Sequence, residues 1–170
     1  MKRGTPLFVA CALLVVALDQ VTKSIAASSL LLGDPSPVVG ETVRLTLVHN
    51  TGAAFGLFPG SRVPFIAISL LAVAVVLYLF FRETYRSVLN RVLLGCILGG
   101  AIGNLADRIR LGYVVDFIDV GLGQARWPVF NVADSAVTLG VLLLAWNLAR
   151  AGRAAAPDPE DPSRAGVPGG

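Results

Sequence analysis

Polar residues along this chain gather at the ends of long apolar runs. Val63 to Phe81 reads VPFIAISLLAVAVVLYLFF without a charge, close to the roughly 20 residues that a helix needs to cross a hydrocarbon core. Leu7 to Leu18 is also apolar, and its helix can continue through Asp19, Lys23 and Ala27. Val92 to Ala106 is uncharged but short, and it crosses if Arg91 snorkels from one face while Asp107 and Arg108 sit at the other. Val129 to Ala149 is long enough and carries Asp134 near its beginning. The pattern predicts an all-α membrane protein with four transmembrane helices, over about residues 6–25, 63–81, 90–107 and 130–149. These form one membrane domain, residues 1–150, followed by a tail over 151–170. The tail is Ala, Pro, Gly and charge, cannot bury a core, and is expected to be disordered and cytoplasmic.

Two segments between the runs have a different period. Val43, Leu45 and Leu47 alternate with Thr42, Arg44 and Thr46, which predicts a strand after a turn-rich Asp34-Pro35-Ser36-Pro37 entry. The loop from His49 to Gly60 mixes glycine, small residues and aromatics, which suits contact with the membrane interface or an apolar ligand. Gly112 to Val120 is a second strand candidate, with Gly121 and Gly123 as its turn, and Tyr113 and Trp127 suit the headgroup level. Gly95, Gly99 and Gly103 recur every four residues, a stripe that lets another helix approach closely.

Composition agrees with a membrane protein. The 170 residues are 55% hydrophobic and 15% charged, with mean hydropathy +0.72, whereas about a quarter of an ordinary soluble domain is charged. Lys2 and Arg3 precede the first run, Arg82, Arg86 and Arg91 lie between the second and third, and Arg150 and Arg153 follow the fourth. By the positive-inside rule these segments and both termini are cytoplasmic. The bias is moderate, because Lys23, Arg44, Arg62, Arg108, Arg110 and Arg126 fall on the other side. A pI near 9.2 then reflects topology and anionic headgroups and implies no nucleic-acid partner. Lys2-Arg3 and the run after them lack an A-x-A-like site, so the first run is expected to be retained. Cys11 and Cys96 lie in different runs and read as packing residues, not as a disulfide or a metal site.

With that topology the ionisable residues converge on one depth, the outer leaflet. Asp19 and Lys23 end the first run, Asn104, Asp107 and Arg108 end the third, and Asn131 and Asp134 begin the fourth; Asp116 lies in the loop between the last two. Each such charge costs about 2.5–3.5 kcal/mol at the bilayer centre and marks a functional site by default. A single histidine, His49, argues against zinc-peptidase motifs and a serine triad; it reads as a loop polar group. Carboxylate chemistry remains. Two aspartates within reach share a proton, so that one acts as base and the other as acid. Asp19 and Lys23 form an i,i+4 pair with a supporting role. Asp107 and Arg108 either anchor the helix end or meet a lipid. Asn104 suits an interhelical hydrogen bond, Asn131 suits the cap of the fourth helix, and Asp119 reads as solvated loop. A transporter would instead place its charges near the midplane of an inverted repeat, and a scaffold would leave the carboxylates unexplained.

Five segments occur in order: Asp19-Gln20-Val21-Thr22-Lys23, Asn50 to Gly56, Gly103 to Arg108, Val114 to Phe117 and Phe130 to Asp134. Together they resemble the lipoprotein signal peptidase family, signal peptidase II, of bacteria. The resemblance implies an aspartyl endopeptidase of the cytoplasmic (inner) membrane, multi-pass, with its site near the outer leaflet and a small extracytoplasmic β-strand cradle. It implies substrates that are diacylglyceryl-modified prolipoproteins, cut just before the lipidated cysteine, with membrane lipids as further partners. By motif match Asp116 and Asp134 are the catalytic pair. Asn50, Gly52, Asn104, Asp107, Arg108 and Asn131, with Asp19 and Lys23, bind substrate or support that pair. No metal or other cofactor is implied, and one chain suffices for the chemistry.

Overall fold

The computed structural model describes residues 4–52, 63–82 and 87–154. Four helices are long and apolar enough to cross a membrane: α1 (Thr5–Ser29), α2 (Val63–Phe81), α3 (Val88–Arg110) and α4 (Val132–Ala154). Each lies on one of the predicted runs, and α1, α3 and α4 extend past the predicted ends. Four strands, β1 (Pro35–Val39), β2 (Val43–Asn50), β3 (Val114–Leu122) and β4 (Ala125–Arg126), form an antiparallel meander in the order β1-β2-β3-β4. The chain enters the sheet from the end of α1 and again from the end of α3, and it leaves toward the start of α4. The sheet therefore lies at one end of the bundle.

The two predicted strands appear as β2 and β3. The Asp34–Pro37 entry is a correction: Pro35 and Pro37 lie in β1, which pairs with β2 and is exposed throughout. Proline cannot donate to a ladder, so it is tolerated there because β1 is an edge. Helix α4 also runs on to Ala154, so the tail boundary at residue 150 falls inside a helix; residues 155–170 lie outside the described residues, as does the predicted loop from residue 53 to 60.

Helix α3 is the centre of the bundle. About 67% of its apolar window is buried, against 11–22% for the other three. Leu93, Leu94, Ile97 and Leu98 of α3 meet Phe8 and Ala12 of α1, Val76 of α2 and Leu144 of α4. The glycine stripe explains how the helices come so close. A Cβ on Gly95 would lie 2.5 Å from the Phe8 carbonyl oxygen and one on Gly99 2.6 Å from that of Ala12, both on α1. Gly100 faces the Ala133 carbonyl of α4 in the same way. The outer faces of α1, α2 and α4 keep leucine, isoleucine and valine exposed, as lipid-facing surfaces do.

Candidate active site

Asn131 caps α4, and the cap organises the site. Its Oδ1 accepts the Asp134 backbone N–H at 2.9 Å, and its own backbone N–H donates to Asp134 Oδ2 at 3.2 Å. This is a reciprocal capping box built from Asn and Asp. It holds the Asp134 carboxylate in the first turn of α4, where the helix dipole favours negative charge. The Asn131 side chain is fully enclosed, and its Nδ2 donates to Asp116 Oδ1 at 2.6 Å. One residue therefore contacts both carboxylates.

Each carboxylate oxygen has its own donor. Asp116 sits on β3 opposite Val48 of β2, and Asn50 lies two residues further along β2. Asn50 Nδ2 donates to Asp116 Oδ2 at 2.9 Å, while Asn50 Oδ1 is occupied by the Gly52 N–H, also at 2.9 Å. Gly52 has φ 77, and a Cβ there would strike the Phe65 ring, so only glycine makes this turn. On the other side, Asn104 Nδ2 donates to Asp134 Oδ1 at 2.8 Å. The Asn104 orientation follows from Lys23, whose ammonium has only donors and lies 2.9 Å from Asn104 Oδ1. With the amide oxygen turned to the lysine, the NH2 group faces Asp134.

A buried ionic cluster supports these groups. Lys23 is 3% exposed and bonds Asp19 Oδ2, Asp107 Oδ2 and Asn104 Oδ1, each at 2.9 Å. Three acceptors match its three N–H groups. Asp19 Oδ1 accepts the Ala133 N–H at 2.9 Å, across 114 residues, and so fixes the start of α4 against α1. Asp107 Oδ2 accepts the Val115 N–H at 3.2 Å and so fixes β3. Asp107 is therefore not a headgroup anchor: it is buried, and α3 continues past it to Arg110. Arg108 reaches across to α2, donating to Ser69 Oγ at 3.2 Å and to the Asn104 carbonyl at 3.3 Å.

Asp116 lies outside the membrane-spanning helices and is 1% exposed. Burial first, and then the charge of Asp134, push its carboxyl up from 3.8 to about 6, against the hydrogen bonds of Asn50 and Asn131 and the charge of Lys23. Asp134 is only half-buried and opens onto two cavities. One, of about 350 Å³, is lined by Trp127, Phe130, Ser135, Thr138 and Leu139. The other, of about 250 Å³, lies among α2, α3 and α4, with Arg108 and Asn104 at its polar side and Ile68, Ala72 and Ile97 at its apolar side.

All ten residues singled out in the sequence fall at this end of the bundle. Three further residues were missed or misread. Gln20 lies between Asp19 and Lys23 and donates to Asp19 Oδ2 at 3.1 Å, Asp107 Oδ1 at 3.0 Å and the Gly103 carbonyl at 3.3 Å. Its polarity at the end of an apolar run was the available signal. Asp119 is not solvated loop. It is 4% exposed, accepts from Thr46 Oγ1 at 2.9 Å and from Arg44 and Arg126, and ties β2, β3 and β4 together away from the Asp116 carboxylate. His49 is likewise in a strand, stacked on Tyr113 at 4.0 Å.

Four membrane-length helices, with two carboxylates bridged by one asparagine at their sheet end, define a multi-pass membrane protein. The model of one protein family, signal peptidase (SPase) II, matches residues 11–150. Lipoprotein signal peptidases are similar in sequence: that of Syntrophotalea carbinolica is 50% identical over 137 residues, 78% of this chain and 84% of the relative. That of Moorella thermoacetica is 42% identical over 141 residues, 83% of this chain and 91% of the relative. A solved bacterial membrane enzyme superposes with TM-score 0.81 at 32% identity, covering 92% of this chain and 96% of its own. A second such structure gives 0.79 at 34% identity, over 86% and 95%. The chain belongs to the signal peptidase II family, peptidases that remove signal peptides from lipoprotein precursors.

Proposed function

We propose that the protein is an aspartyl endopeptidase that removes the signal peptide from diacylglyceryl-modified prolipoproteins, cutting just before the lipidated cysteine. Asp116 and Asp134 form the catalytic pair. The observation that carries this reading is the bridging of two carboxylates by one enclosed asparagine, Asn131, with Asn50 and Asn104 holding the outer oxygens. Such a pair holds one proton between like charges. The ionised member takes a proton from water, and the resulting hydroxide attacks the scissile carbonyl carbon. The protonated member donates to the carbonyl oxygen as its charge develops. Collapse of the gem-diol intermediate breaks the C–N bond: one hydroxyl returns its proton to the member that had donated to the carbonyl oxygen, and the proton taken from water goes to the departing cysteine amine.

The supporting residues keep that geometry rigid. Asp19, Lys23 and Asp107 lock α1, α3, β3 and the start of α4 together, while Gly52 holds Asn50. Arg108 borders the cavity beside Asp134 and suits an anionic headgroup. The membrane is the bacterial cytoplasmic membrane, with both termini inside and the sheet end at the outer leaflet, by the distribution of basic residues. The substrate's signal helix enters sideways from lipid between α2 and α4, and its acyl chains remain in the bilayer. The pair is complete within one chain, so the working unit is a monomer. The test is prolipoprotein processing in membranes carrying Asp116→Asn or Asp134→Asn at parental expression. Loss of acid–base catalysis lowers the rate by about 10²–10⁴-fold; parental processing by either variant refutes the pair.

A further inference from the structure

One buried cation is not part of the site. Arg91 lies one turn into α3, at the end of the bundle opposite the sheet, and is 3% exposed. The sequence suggested a side chain snorkelling to the surface; the structure instead folds it inward. Its guanidinium lies over the Phe80 ring of α2 at 5.1 Å, and Nη1 donates to Thr5 Oγ1 of α1 at 3.0 Å. Nε is enclosed and has no hydrogen-bond partner. Among the described residues no carboxylate pairs with Arg91. Arg82 and Arg150 of the same end are exposed over Tyr78 and Trp146 and can reach headgroups on their own.

The first turn of α1 meets the same guanidinium. Gly4, with φ 105, packs against it so closely that a Cβ there would lie 2.8 Å from Arg91 Cδ. Among the described residues no side chain caps α1, and no acidic residue occupies its first turn. Pro6 has no N–H, and the first helical bond is Phe8 N–H to the Gly4 carbonyl at 3.0 Å, so the Thr5 and Leu7 N–H groups have no intrahelical acceptor. The Thr5 hydroxyl accepts from Arg91 and keeps its own proton to donate. A helix terminus with no cap among the described residues and the unpartnered Nε edge of a buried guanidinium both call for an oxyanion, and the fork of that edge matches a phosphate.

We propose that Arg91 and the start of α1 bind the phosphate of an anionic phospholipid in the leaflet opposite the sheet. The site lies where the apolar spans begin, which is headgroup depth, so the lipid's chains run along the exposed flank of α1 at Leu7, Leu13 and Leu14. The lipid supplies the counter-charge that the described protein lacks and pins α1 to α3 far from the carboxylate pair. This holds whichever leaflet that proves to be.

The test is native mass spectrometry of the full chain in nonionic detergent, titrated with phosphatidylglycerol. The parental protein is expected to retain one lipid after the others are stripped, and Arg91→Met to bind it at least about tenfold more weakly through loss of a charged hydrogen bond. Arg91→Lys restores part of the binding. Millimolar inorganic phosphate leaves the lipid in place; displacement by phosphate assigns the site to a free anion and overturns the lipid. Glu83 is the carboxylate two residues beyond the end of α2 in the sequence; if only Glu83→Gln retains the lipid, that carboxylate already neutralises Arg91 and the proposal fails. Equal retention by the parental protein and Arg91→Met also refutes it. Hydrogen exchange on the unmodified protein does not depend on any variant folding. Phosphatidylglycerol, but not phosphatidylcholine, slows exchange at Thr5 and Leu7, and equal rates with both lipids reject the site.

Discussion

Asp116 is the residue where burial and chemistry meet. Its folded-state pKa of about 6 lies above the 3.8 of a free carboxyl, chiefly because the charged form is desolvated. Between those values the folded protein holds a proton that the unfolded chain has released. The stability this group contributes is therefore complete below about pH 4 and is lost as pH rises through about 6. Asp116→Asn cannot ionise, so its Tm is expected to fall less than that of the parent between about pH 4 and pH 7. Equal slopes in the two proteins contradict the assignment. Under the proposed mechanism, with Asp116 as the protonated member, kcat/KM is expected to fall above about pH 6 as Asp116 ionises.

Two elements carry most of the positioning, the sheet and helix α3. The sheet depends on Asp119, whose carboxyl is buried, which works against ionisation, yet is held below its ordinary pKa by the hydrogen bonds of Arg126 and Thr46 and the charges of Arg126 and Arg44. Asp119→Asn leaves Arg126 without its carboxylate and Arg44 with only the exposed Glu41, and is expected to cost about 1–3 kcal/mol. Amide exchange in β2 and β3 should quicken, and unchanged exchange there argues against this role. Helix α3 depends on close approach to its neighbours. Gly99→Ala places a Cβ 2.6 Å from the Ala12 carbonyl oxygen, whereas nothing lies within 4 Å of one on Gly152. Overpacking of this kind costs about 1–3 kcal/mol. A lower Tm for Gly99→Ala with none for Gly152→Ala is the expected contrast in thermal unfolding, and equal Tm values reject the packing role.

At the scale of the whole molecule, the chain connects the helices so that every polar element of the site lies at one end. Proteins of this kind span the membrane by satisfying all backbone bonds within helices, and irregular or strand backbone collects outside the hydrocarbon. Orientation can be tested directly. With Cys11 and Cys96 replaced by serine, Gln124→Cys in the β3–β4 turn is expected to react with an impermeant maleimide in intact cells. Gly152→Cys should react only after the membrane is opened. The reverse pattern inverts the topology and moves the carboxylate pair to the cytoplasmic side.

By itself the sequence determined the helices, because about 20 apolar residues in a row have no other stable arrangement in lipid. It also determined the two principal strands by alternation, the Asn131 cap by its spacing to Asp134, and the family by five ordered motifs. Tertiary structure decided which partner each polar group takes. Asp119 looks like any loop carboxylate until β2 and β4 bring Thr46, Arg44 and Arg126 to it. Asp107 looks like a helix end until Lys23 of α1 meets it, and Arg91 looks like a snorkelling arginine until Gly4 and Phe80 enclose it. The physical reason is the same for the two carboxylates. A buried charge is stable only beside its counter-groups, and here those come from chain segments as far apart as Asp19 and Ala133, which no local pattern connects.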